Sequence, residues 1–116
     1  MRVFVSGHLD LTPEEFAQHY IRRLRQAVSA GHSFVVGDAR GADTFAQAWL
    51  SKCSDQVTVF HMLGKPRVSY GFPLCGGFTS DEERDAAMTA ASDIDIAWVR
   101  PGRERSGTAK NLARRK

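Results

Sequence analysis

Three short segments of this 116-residue chain carry the small, polar residue types that can hold a phosphate group. The longest is Val35-Val36-Gly37-Asp38-Ala39-Arg40-Gly41-Ala42-Asp43, where an apolar run breaks at a glycine turn and a helical pattern follows at once. Gly37 and Gly41 lack Cβ atoms where the backbone must turn sharply or approach a ligand, and the following helix offers unpaired N–H groups and a partly positive end. Ser6-Gly7-His8 closes an earlier apolar run, and Ser106-Gly107-Thr108 opens a late helical pattern. The glycine spacing fits neither G-x-G-x-x-G nor G-x-x-x-x-G-K-[ST], and an ordinary strand-to-helix turn accounts for the first segment equally well.

Arg40 and Arg84 are candidate anion ligands, because a guanidinium offers forked donors to phosphate. Asp38 and Glu104 are weak catalytic candidates, carboxylates that could reach a sugar; the competing structural roles are a turn or helix cap for Asp38 and an ion pair with Arg103 or Arg105 for Glu104. Asp43, inside a would-be anion site, must bond backbone or a ribose hydroxyl. His8 could donate to phosphate or stand exposed. Trp49 and Trp98 could stack a base, although helical spacing and strand position read both as core, while Tyr70 and Phe72 are looser candidates for a base platform or lid. Cys53, Cys75 and four scattered histidines show no metal-ligand spacing, so no metal and no cofactor are expected.

Positioning these residues takes alternating strands and helices. Residues 2–6 read as a strand ended by Gly7. Thr12, Pro13 and Glu15 open a helix with Phe16, Tyr20, Leu24 and Val28 on one face, closed by Gly31. Residues 34–36 form a second strand, 42–50 a helix and 57–60 a third strand. Residues 62–78 lack a period and are predicted to be a long irregular connection, functional or disordered. Ser80 and Glu83 open a helix with Ala86, Ala87, Met88 and Ala91 on a small-residue face, residues 94–99 form a fourth strand, and a short helix begins at Ser106. That order predicts one α/β domain over residues 1–116, a three-layer sandwich with a mainly parallel sheet. The three polar segments then leave the carboxyl ends of the strands, where such sheets bind ligands.

Composition narrows the function classes. With 42% hydrophobic residues the chain can bury a core, and no apolar run approaches a membrane span. A soluble cytoplasmic protein without membrane contact is expected. Residues 1–99 hold nine Lys/Arg against twelve Asp/Glu, whereas residues 100–116 hold seven against Glu104 alone. The basic end could meet nucleic acid through Arg114, Arg115 and Lys116, or simply complement the negative end of a last helix.

The glycine loop ending Gly41-Ala42-Asp43, the run Glu83-Arg84-Asp85-Ala86-Ala87-Met88 before Ser92-Asp93 and a hydrophobic strand, and Ser106-Gly107-Thr108 together resemble the SLOG superfamily. This Rossmann-like group includes cytokinin-activating phosphoribohydrolases, DNA-processing Smf proteins and small stand-alone nucleotide-binding domains. The resemblance covers nearly the whole chain in matching order. It implies that Gly37, Gly41 and Asp43 approach a phosphate or ribose, that Arg84 of an R-x-x-x-M helix ending at Met88 faces the ligand, that Gly107 and Thr108 hold phosphate, and that Ser6 and Gly7 end the first strand. It also implies a homodimer through helices beside the site, which the small residues Ala86, Ala87, Ala90 and Ala91 permit.

One departure bears on chemistry. In the phosphoribohydrolases paired glutamates follow Gly-Thr, but here Ala109, Lys110 and Asn111 follow, and neither Lys110 nor Asn111 can stabilise an oxocarbenium-like state. Pro101-Gly102-Arg103-Glu104-Arg105-Ser106 also replaces a shorter Pro-Gly-Gly. The expectation is a binding or sensing domain for a nucleotide or nucleotide-derived phosphorylated ligand. The alternatives are a nucleoside 5′-phosphate N-glycosidase with a relocated carboxylate and a nucleic-acid-binding module using the basic C-terminus.

Overall fold

The structure, a computed structural model, describes residues 1–115, and its counts refer to those residues. Five strands, β1 (Arg2–Val5), β2 (Ser33–Val36), β3 (Val57–Met62), β4 (Leu74–Phe78) and β5 (Ile94–Ile96), form one sheet in the order β4-β3-β2-β1-β5, every pair parallel. Parallel strands need crossover connections; helices on both faces supply all but one, since residues 63–73 join β3 to β4 without a helix. The helices are α1 (Pro13–His19), α2 (Ile21–Ser29), α3 (Ala42–Leu50), α4 (Asp81–Ala90) and α5 (Gly107–Arg115). The α/β three-layer, Rossmann-like sandwich is therefore present.

Strand side chains alternate, so Val3, Val5, Phe34, Val36, Val57 and Val59 enter one core with Phe16, Leu24, Ala46 and Leu50 from α1, α2 and α3. Phe4, Val35 and Phe60 face the other way onto Met88 of α4. The second layer is poor in apolar residues. α5 buries Thr108 and Asn111, and Arg115 fastens its end by pairing with Asp95 of β5 at 2.9 Å.

Local signals account for much of this. Thr12 Oγ1 accepts the Glu15 N–H while Glu15 accepts the Thr12 N–H, the reciprocal box expected at α1. Ser80 Oγ likewise accepts the Glu83 N–H, although the Glu83 carboxylate turns back to Thr79.

Three expectations need correction. The continuous helix over residues 13–28 is two helices, broken at Tyr20 (φ −120°). Tyr20 is fully buried there, its hydroxyl donating to Ser6 O (2.8 Å) and accepting from Trp98 N–H (3.1 Å), so it ties together the carboxyl ends of β1 and β5. The connection over 62–78 ends in β4, an edge strand. Its Gly76-Gly77 pair hides the strand pattern, yet Gly76 is needed because a Cβ there would lie 2.3 Å from the His61 ring. The last strand stops at Ile96, so Trp98 lies beyond it, stacked on His19 at 3.9 Å between ring centroids.

Candidate functional site

A cleft of about 480 Å³ opens at the carboxyl ends of β1 and β2, between the start of α3 and the start of α5. The Ser6 N–H continues the sheet by donating to Ile96 O, which places the Ser6 side chain on the cleft floor. Gly7 follows it. A Cβ on Gly7 would lie 2.4 Å from the Tyr20 hydroxyl and 2.5 Å from Ala42 Cβ, so its glycine is demanded by packing behind the cleft. Gly41 has φ +74°, and a Cβ there would strike the His8 and Leu9 carbonyl oxygens at 2.4 Å. Gly37 abuts Asp43 Oδ2 and the Arg84 guanidinium in the same sense. The two loop glycines thus let neighbouring segments close on one another, and neither Gly37 nor Gly41 lines the cleft.

Arg84 lines the cleft but is 5% exposed and held by carboxylates: Nη1 to Asp38 at 2.7 Å, Nη2 to Asp85 at 3.0 Å, and Asp81 at 3.5 Å. Asp38 is fully buried behind it. Its oxygens accept from Arg67 N, Nε and Nη2 (2.9, 3.2 and 2.9 Å) as well as from Arg84. Burial alone would raise the Asp38 pKa, but the Arg67 hydrogen bonds and the Arg67 and Arg84 charges carry it below the usual carboxylate range. That occupancy removes Asp38 as a free base. Glu104 is no substitute, because it lies outside the cleft and its Oε2 accepts the Gly102 N–H at 2.8 Å. The anticipated Glu104 ion pairs do not form; Arg103 pairs with Asp10 at 2.7 Å.

Asp43 lines the cleft at the first turn of α3, with Oδ2 accepting the Ala39 N–H at 3.1 Å. Burial pushes its pKa up to about 7, against the opposing pull of Arg84 and the Ala39 hydrogen bond. His8 is also in the wall and almost wholly buried. Its Nε2 accepts the Arg100 N–H at 2.8 Å, which fixes a neutral ring with the proton on Nδ1, and burial with the Arg100 and Arg103 charges lowers its pKa.

The other wall is differently supplied. Ser106 lines it and caps α5, its Oγ accepting the Ala109 N–H at 3.2 Å. The N–H groups of Gly107 and Thr108, the first two of the helix, make no hydrogen bond among the described residues. Both residues line the cleft, and the space around Gly107 is open. Ser6 Oγ is buried there without a partner among the described residues. Arg40 stands exposed on the rim and joins no ion pair among the described residues.

Sequence reasoning missed Arg67, Asp10, Arg103 and Asn111, all cleft-lining. Arg67 sits in an aperiodic loop and carries no local signal. The aromatic candidates lie outside the lining: Phe72 and Trp49 pack against the core, and Tyr70 is exposed elsewhere. The basic C-terminal segment is largely consumed internally. Arg100 pairs with Glu15 and Asp10, Arg115 with Asp95 and the Thr89 and Ser92 carbonyls, and Arg114 with Asn111; Lys116 lies outside the described residues. Arg114 and Arg115 therefore help to fasten α5, each with about a quarter of its side chain exposed.

No family model matches the chain, and no curated protein matches it. Among solved structures, the chain matches DNA processing protein A from Helicobacter pylori, reported for its unique single-stranded DNA binding mode, with a TM-score of 0.62 and 19% identity. What the two share is the fold. The match covers 85% of this chain and 54% of that one, so this chain spans about half the length of the DNA processing protein. No helix among the described residues is long and apolar enough to cross a membrane.

Proposed function

We propose that the cleft binds single-stranded nucleic acid, holding one nucleotide unit with its phosphate at the start of α5. The observation that carries this reading is the conjunction, in one cleft, of two unused helix N-terminal N–H groups (Gly107, Thr108) with the orphaned Ser6 hydroxyl. Helix termini attract anions, and a buried hydroxyl without a partner is costly unless a ligand completes it. Arg40, at the rim and without an ion pair among the described residues, adds a cation that need not leave a carboxylate first. The fold shared with a single-stranded DNA-binding protein favours a polynucleotide over a free nucleotide.

A second reading, the nucleotide-sensing role implied by the SLOG resemblance, draws support from the cleft volume, which suits one mononucleotide. The N-glycosidase reading loses its support, because Asp38 is enclosed by arginines and Glu104 lies outside.

Fluorescence anisotropy of a labelled ten-residue oligothymidylate, competed with thymidine 5′-monophosphate, tests the proposal. Binding should weaken with salt. Gly107→Pro, which removes one N–H at the first helical position where proline is tolerated, should weaken it by roughly tenfold. Unaltered binding in both Gly107→Pro and Arg40→Ala would overturn the assignment of the cleft. Binding of the mononucleotide with none of the oligonucleotide would favour the sensing role.

A further inference from the structure

The segment between Arg100 and α5 folds into two successive tight turns, with the Arg103 N–H donating to Arg100 O and the Ser106 N–H to Arg103 O. Gly102, at φ +89°, makes the first of them possible, and residues 101–105 are all exposed. Beside these turns lies a second depression of about 390 Å³, lined by residues 102–106. Arg103 and Ser106 line both this depression and the main cleft, so the two are contiguous. Arg103 is the partition between them. Its guanidinium is held on Asp10, but both side chains are about half exposed, and ion pairs of that kind are weak and easily exchanged. Arg105 lines the second depression and joins no ion pair among the described residues. The opposing charge there is Glu104, which is turned onto the Gly102 N–H.

Resting on the reading of the cleft as a nucleotide site, we infer that the 102–106 turn is a second phosphate subsite, so that the chain engages two consecutive nucleotides of a polynucleotide. The phosphate in the main cleft takes the start of α5. The next one lies over the turn, where Arg105 meets it and Arg103 swings from Asp10 to join. A shorter turn would lack this subsite; the six residues from Pro101 to Ser106 supply both arginines.

The test compares thymidine 5′-monophosphate with 5′-phosphorylated dithymidylate by isothermal calorimetry. The dinucleotide should bind about tenfold more tightly, reflecting one further phosphate held by arginine. Arg105→Ala should remove that increment and leave the mononucleotide unchanged, whereas Gly107→Pro should weaken both. Asp10→Asn, which releases Arg103 and takes a carboxylate out of the main cleft, should tighten the dinucleotide more than the mononucleotide, and that excess should vanish in the Asp10→Asn/Arg103→Ala double variant. Equal affinities for the two probes, or an Arg105→Ala variant that keeps the full increment, would overturn the second subsite and leave the cleft assignment standing. If neither probe binds, both readings fall.

Discussion

On one side of the cleft Asp38, Arg67, Arg84 and Asp85 exchange six hydrogen bonds among themselves, while on the other Ser6 Oγ and the first two N–H groups of α5 have none among the described residues. The charged wall is the one that reads as functional in sequence, yet its charges are already satisfied. Arg84 neutralises acids contributed by β2's following loop and by its own helix, and Arg67 ties the 63–73 loop to the same carboxylate. Such a network holds elements in place, and a phosphate would have to displace a carboxylate to enter it. The quieter wall has donors to spare. Residues with the strongest chemical identity therefore hold one wall together, and the free donors among the described residues belong to the small residues of the other.

Asp38 is the residue on which the charged wall depends most. In Asp38→Ala, Arg84 loses its shortest partner in a site shielded from water, and Arg67 loses the anchor of its loop. Removing one member of a buried pair typically costs about 3–5 kcal/mol, because the remaining charge is left uncompensated. Urea denaturation should show a loss of that order. A loss below about 1 kcal/mol would mean that Asp38 is not structural and would return it to the list of reactive groups.

How far the two walls were legible follows from the range of the interactions in each. β1, β2 and α3, with the α1 capping box, are local patterns within ten residues and can be read directly. The Arg84–Asp38 pair spans 46 residues and Arg100–Glu15 spans 85, so no local spacing announces them. Charge imbalance is silent on pairing for the same reason: within the basic segment after residue 99, Arg100, Arg103 and Arg115 pair with Asp10, Glu15 and Asp95 from earlier in the chain. β4 is hidden by its two glycines, whose reason, the His61 ring, lies on another strand. The Ser106-Gly107-Thr108 cap was readable because a helix N-terminus is written in consecutive residues.

Asp43 lies beside the charged wall with one hydrogen bond, from the Ala39 N–H, among the described residues. Its folded pKa, about 7, lies above the ordinary carboxylate value, so the folded state binds the proton more tightly than the unfolded one. The associated stability is fully present below about pH 4 and is lost as pH rises through about 7. Asp43→Asn, which cannot ionise, should remove this dependence and be more stable than the parent at pH 8, by about 2–4 kcal/mol on the scale of 1.36 kcal/mol per pKa unit. His8 gives the opposite slope. Its lowered pKa means that stability falls as pH drops below its unfolded value near 6.5, and the Asp43→Asn variant should expose that slope at pH values above the range where the lowered carboxylates, Asp38 among them, take up protons. Parallel pH–stability profiles for parent and variant would show that Asp43 is already ionised beside Arg84.

The smallest effect compares two glycines, one in each wall. A Cβ on Gly37 would lie 2.5 Å from Asp43 Oδ2 and 3.0 Å from Arg84 Cζ, whereas a Cβ on Gly107 meets nothing within 4 Å. Gly37→Ala should therefore force the buried network apart, at about 1–3 kcal/mol. Gly107→Ala should leave stability unchanged or raise it by up to about 1 kcal/mol, since alanine loses less backbone entropy in a helix. Thermal unfolding of the two variants separates them. Ligand binding should separate them in the reverse order, because the methyl group at Gly107 enters the space a phosphate needs, while Gly37 lies behind the cleft lining. Equal stability losses would show that both walls are closed by packing; a Gly107→Ala variant that binds as the parent would place the phosphate away from α5.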